Sequence, residues 1–225
     1  MQVSTQNNRV NFTSTPLHPV NLRKFTNGAQ DGFVKAVFSK LDPNNLEDLA
    51  ALKEIETNAD SEKSAILRML CGFFPYNCFQ NDQYHCLELV GEGSLAQRIV
   101  GLLNTTPGLG DKKAYVGKLI ATVPRFKYGK DDRGIKGVGE VMLGETFNLA
   151  KKGGFERLSF DSTKNPFYDE TFRTAKVNVQ EREISGWDSA RNIIIPKTEF
   201  DKYINYCEDK YKFKFNKKKH FRGLF

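Results

Sequence analysis

No stretch of this chain approaches the roughly twenty consecutive apolar residues that a membrane-spanning helix needs. Residues 1–12, MQVSTQNNRVNF, have no apolar signal core. These two absences exclude a helical membrane span and predict a chain that stays in the cytoplasm. No internal repeat is present, which excludes a solenoid. The cysteines Cys71, Cys78, Cys86 and Cys207 lack the close C-x-x-C type of spacing, so with His85 they do not form a zinc-binding set and read as buried free thiols. Without a secretion signal they are expected to be reduced. The dinucleotide fingerprint G-x-G-x-x-G is missing as well.

What is present suits one globular domain. The chain has 225 residues, 39% of them hydrophobic and 12% aromatic, enough to build a single core. Lys and Arg number 34 against 27 Asp and Glu, a formal charge of +7, and such a field favours anionic partners. Part of it is concentrated in residues 210–222, where Lys210, Lys212, Lys214, Lys217, Lys218, Lys219 and Arg222 occur with no acid. That segment reads either as a solvated terminus or as an anchor for nucleic acid or an acidic membrane. The expected organisation is a peripheral N-terminal arm over 1–32, a domain over 33–215 and a basic tail over 216–225.

Within 1–32, Pro16 and Pro19 interrupt any period, leaving room for one short strand near 20–25. Alternation predicts a strand over 33–41, closed by Asp42-Pro43. Asn44 or Asn45 then caps a helix to Ile55, and Ser61 opens a second helix ending at Gly72. Three strands follow over 84–90, 97–105 and 113–123, joined by short glycine-bearing connectors that predict an antiparallel meander. Next comes G-I-K-G-V-G at 134–139, after which Val138, Val141, Met142, Leu149 and Ala150 recur at helical spacing as far as Gly153-Gly154. A strand over 155–161, a short helix over 165–173, strands over 175–184 and 192–195 and a helix from Thr198 to Cys207 complete the order. Tyr211 to Phe215 alternates strictly and predicts an edge strand with its lysines in water.

A glycine turn at a helix start is a place for an anion, because the first backbone N–H groups are unpaired and the helix dipole adds positive charge there. Gly137 and Gly139, in a strand–turn–helix–strand setting, match the two glycines of Q/R-x-x-G-x-G/A, and Asn165-Pro166-Phe167-Tyr168 matches an Asn followed by an aromatic-Tyr pair. On these residues, and over roughly 33–173, the chain resembles the GCN5-related N-acetyltransferases (GNAT). Two departures stand out. The Gln/Arg position of the pattern falls on Gly134 with Arg133 one place early, and 124–136 is a charged insertion before the loop.

The resemblance implies an α+β fold, a central, mostly antiparallel mixed sheet flanked by helices on both faces. It implies acetyl-CoA or a close relative as donor, with no metal, and an amine-bearing small molecule or protein as acceptor. The donor would be held by Ile120, Thr122, Val123, Arg133, Gly134, Lys136, Gly137, Val138, Gly139 and Asn165. The amine would attack the thioester between two splayed strands, the backbone of 120–123 polarising its oxygen and Tyr168 protonating the departing thiolate. Asp161, catalytic in this reading, and Glu88 are the carboxylates available as base, each with a surface or structural role as the alternative. A second class stays open: a noncatalytic relative of the fold, or a basic α+β module that binds nucleic acid or protein.

Overall fold

A long hairpin opens the fold. Strands β1 (Thr15–Thr26) and β2 (Ala29–Lys40) meet at Asn27-Gly28, both at positive φ (51° and 82°), the backbone a two-residue hairpin turn requires. The computed structural model of the chain describes residues 14–59, 65–74, 82–108, 112–123, 134–162, 166–183 and 191–215. Helices α1 (Leu46–Asn58) and α2 (Ala65–Phe73) follow, with the Asn45 side chain accepting from the N–H groups of Glu47 and Asp48 as the N-cap of α1. The meander consists of β3 (Gln83–Leu89), β4 (Ile99–Pro107) and β5 (Ala114–Thr122), with one helical turn, α3 (Leu95–Arg98), before β4. Then come β6 (Ile135–Lys136), α4 (Val138–Lys152), β7 (Arg157–Ser162), α5 (Pro166–Thr174), β8 (Gln180–Glu183) and β9 (Arg191–Pro196). A 3-10 turn, Lys197–Glu199, leads into α6 (Phe200–Tyr211).

The strands form one sheet in the order β6-β1-β2-β3-β4-β5-β7-β9-β8. Neighbours are antiparallel except β5 and β7, which are parallel. Because successive side chains leave a strand on opposite faces, the central strands β3 and β4 supply two cores. Leu22, Phe38, Leu87, Leu103 and Phe160 face α4 and α6. Leu41, Cys86, Leu102 and Val123 face α1 and α2. Helix α4 is flush with the sheet at Gly101, where an added Cβ would stand 2.3 Å from Met142 Sδ and 2.7 Å from Val138 Cγ1. The α+β fold, with its mostly antiparallel sheet and helices on both faces, is as the sequence predicts.

Three expectations are corrected. Residues 15–26 are no peripheral arm: β1 pairs with β2 along its length, and Val20 and Leu22 are buried. Pro16 and Pro19 are tolerated because β1 pairs with β6 only at Arg23 and Lys24, so at the prolines it is a sheet edge that needs no N–H on its outer side. Of the described residues 175–183 only Gln180–Glu183 is strand. Residues 211–215 are not a strand: Tyr211 ends α6, Lys212 turns the chain at φ 55°, and Tyr211 and Phe215 are both buried in the α4 core. Lys212 and Lys214 are exposed, as expected; Lys214 and the N–H of Phe215 both bond the Glu208 carboxylate, at 2.6 and 2.9 Å. The basic segment 216–225 lies outside the described residues.

Among the described residues no helix is long and apolar enough to cross a membrane. Cys71, Cys86 and Cys207 are buried free thiols, and burial pushes Cys71 up to about 12; Cys78 lies outside the described residues. Cys86 and His85, adjacent on β3, necessarily face opposite sides of the sheet. Leu22→Ala is expected to cost about 2–5 kcal/mol in urea unfolding, the range of a buried large-to-small change. A change below about 0.5 kcal/mol would return β1 to a peripheral role.

Candidate functional site

Strands β5 and β7 pair only from Ala114–Arg157 to Gly117–Phe160, after which β7 continues beside β9 while β5 continues beside β4. An aromatic wedge marks the parting. The Phe160 ring fills the space over Gly117, with Cε1 2.2 Å from where a Cβ would be. The Tyr168 ring packs against Phe160, at 5.8 Å between centroids.

The backbone of β5 beyond the parting has a definite orientation. Val123 N–H donates to the Val100 carbonyl at 2.8 Å. Since bonded and non-bonded pairs alternate along an antiparallel ladder, Ala121 also turns toward β4, whereas Ile120 and Thr122 turn their N–H and C=O groups toward the side that β7 has left. Val123 is therefore corrected as an oxyanion donor: its N–H is committed to β4 and its side chain is buried against α1 and α2.

The start of α4 stands at the same level. Val138 covers Gly101, the register partner of Thr122. Gly139 contacts α5, where an added Cβ would stand 3.2 Å from Phe167 Cζ. The N-cap is Gly137, at φ 95° and without a capping side chain, so the first-turn N–H groups of α4 receive nothing from the N-cap residue. Two of the glycines are explained by packing alone. A Cβ at Gly134 (φ 63°) would lie 2.1 Å from the Phe25 carbonyl oxygen, and one at Gly137 would lie 2.2 Å from the Tyr211 hydroxyl. Strand β6 stitches this loop to β1, and Lys136 Nζ lies 4.5 Å above the Phe25 ring.

Tyr168 is partly buried among Phe160, Phe167 and Phe172. Burial pushes its phenol up to about 12, and no hydrogen bond to its hydroxyl is present among the described residues. Asp161 is not part of this cluster. Alternation along β7 sends it to the face opposite Phe160, where it is exposed and accepts from Asn192 Nδ2 at 2.7 Å. Glu88 is fully buried elsewhere, accepting from Ser14 and Ser39 and paired with Arg98 at 3.3 Å. Arg133 and Asn165 lie outside the described residues.

Sequence reasoning missed Glu140. Its carboxylate, in the first turn of α4, accepts from Tyr206 (3.2 Å), Lys210 (2.7 Å) and Tyr211 (2.8 Å) of α6. The partners are some seventy residues apart in the chain, so no local pattern announces them.

No protein-family model matches the chain, and no curated protein matches its sequence. Solved structures do. One is an uncharacterized protein from Bacillus halodurans, with 9% identity, a TM-score of 0.52 and coverage of 87% of this chain and 99% of that one. Another is an acetyltransferase from Thermus thermophilus, with 17% identity, TM-score 0.49 and coverage of 72% and 96%. A third is the GNAT domain of a protein from S. lividans, with 13% identity, TM-score 0.48 and coverage of 80% and 96%. The observed order of strand, two helices, meander, glycine-loop helix, strand, short helix and further strands, with β5 and β7 splayed, is the one expected above. The fold is GNAT-like in its element order and sheet. At these identities the likeness is one of fold. Helix α6 lies beyond the GNAT order expected from the sequence, and it packs on α4, where a Cβ at Gly144 would meet Cys207 Sγ at 2.8 Å.

Gly137→Ala is expected to destabilise the ligand-free protein by about 1–3 kcal/mol, combining left-handed backbone with overpacking against Tyr211. Urea unfolding measures it, and an unchanged midpoint would mean that Tyr211 does not rest on Gly137.

Proposed function

We propose that the chain is an acyl-CoA-dependent N-acyltransferase that moves an acyl group, acetyl first among the candidates, to a primary amine by direct attack. One observation carries the reading. The parting of β5 and β7, the uncapped start of α4 and the Tyr168 phenol meet through direct contacts: Val138 on Gly101, Gly139 beside Phe167, and Tyr168 on Phe160 over Gly117.

The donor supplies, when bound, an acyl thioester and a pyrophosphate. The N–H groups of Val138, Gly139 and Glu140 bind the pyrophosphate, aided by the dipole of α4. Gly134 and Lys136 hold the loop that leads into them, and Arg133 and Asn165 complete the donor contacts in this reading. The N–H groups of Ile120 and Thr122 stabilise negative charge on the carbonyl oxygen as the amine attacks. The C–N bond forms, the C–S bond breaks, and Tyr168 passes its hydroxyl proton to sulfur, the proton released by the amine restoring the phenol. Asp161, across the sheet, is left to the approach of the acceptor or to a surface role. The acceptor class is an amine-bearing small molecule or protein.

A second reading has an observation of its own. Phe25 and Tyr211 account for Gly134 and Gly137 without a ligand, as a noncatalytic relative of the fold would allow. Nucleic acid is disfavoured as its partner, because Lys210 and Lys214 are already paired with Glu140 and Glu208.

Isothermal titration with acetyl-CoA tests the donor, and a screen of polyamines, aminoglycosides and lysine peptides for CoA release tests the transfer. Binding with turnover supports the transferase, and binding without release of CoA to any amine supports the second reading. Tyr168→Phe is expected to keep donor affinity and lower kcat by roughly a hundredfold or more; an unchanged kcat would make the tyrosine structural. Since the phenol keeps its proton up to about 12, kcat of the wild type is expected to show no alkaline loss between about pH 7 and 10. A falling limb in that range would assign the proton to another group.

A further inference from the structure

Glu140 puts a negative charge into the helix turn where an anionic donor is to bind, and an anion site there needs that charge cancelled. Among the described residues, every side chain that hydrogen-bonds its carboxylate comes from α6. Tyr206, Lys210 and Tyr211 donate to Oε2, while Tyr203 and Cys207 reach the Glu140 backbone carbonyl. Only Lys210 among them carries charge. Burial works against that charge, and the hydrogen bonds to Glu140 and Tyr206 outweigh it, holding the ammonium above the ordinary lysine range. Burial, reinforced by Glu140, likewise keeps the Tyr211 phenol protonated, so it remains a neutral donor. The Arg23 guanidinium lies over the outer side of the Tyr211 ring, 5.7 Å from its centroid.

We propose that Lys210 is a positioning residue for donor binding that acts through Glu140: by neutralising this carboxylate it keeps the first turn of α4 positive toward the donor phosphates. The inference rests on the donor reading above and adds α6 to the binding apparatus. A purely structural role makes a different forecast. If the contact only held α6 on α4, loss of either partner would have the same effect. If charge is what matters, loss of the lysine weakens binding and loss of the carboxylate does not.

The test is isothermal titration of acetyl-CoA into the full chain at low salt, with wild type, Lys210→Met, Glu140→Gln and the double variant. Lys210→Met is expected to weaken binding about tenfold, since it leaves the carboxylate uncompensated beside the phosphates. Glu140→Gln is expected to bind as tightly as wild type or tighter, and the double variant to recover to within about threefold of it. Circular dichroism checks that each variant is folded. Should Lys210→Met fail to fold, Lys210→Gln keeps a donor without the charge and is expected to show the same loss. Unchanged affinity in the lysine variants, or equal weakening in the lysine and glutamate variants, overturns the inference while leaving the donor reading intact. Absence of binding by the wild type overturns both.

Discussion

The brevity of the β5–β7 pairing is the constraint on which the rest of the structure depends. A parallel pair that continued would seal the sheet and leave no opening under α4. Pairing stops where the Phe160 ring occupies the space over Gly117. From that point β5 has backbone groups directed at a side where, among the described residues, no strand pairs with it, and such groups are costly unless something polar meets them. Tyr168 is placed by the same wedge, since its ring rests on Phe160. One local packing choice thereby sets where the two strands part and where the Tyr168 ring lies.

The second organising contact is the attachment of α6 to α4. The Glu140 carboxylate takes three hydrogen bonds from α6, Gly144 leaves room for Cys207, and Phe147 stacks on Tyr203 at 4.6 Å. Helix α4 is thus held between the sheet and a second helix, which accounts for its burial from Val141 to Ala150. A helix start held on both sides is preorganised, and preorganisation is what makes backbone N–H groups effective toward an anion.

Much of this was legible in the sequence where order is local. The apolar spacing of α4, its glycine stop and the meander with short connectors are all near-neighbour signals, and the structure follows them. What escaped was long-range. Strand β1 was hidden by Pro16 and Pro19, residues that a strand accepts only at an edge. The alternation of 211–215 suggested a strand, yet Tyr211 and Phe215 reach one core through a turn at Lys212. The candidate site divides in the same way. The glycine turn stands in the local sequence and Tyr168 follows from the family resemblance, whereas the choice of Ile120 and Thr122 over Val123 needed the β4–β5 register, and Glu140 needed α6.

The central claim is that one opening joins the start of α4 to the free backbone of β5. Its most direct test is a titration of the isotope-labelled protein with acetyl-CoA, followed by amide NMR. The account predicts that the amide signals of Val138, Gly139 and Glu140 shift together with those of Ile120 and Thr122, while Val123, bonded to Val100, moves least among 120–123. Shifts confined to other parts of the sheet, or none at millimolar acetyl-CoA, would contradict it.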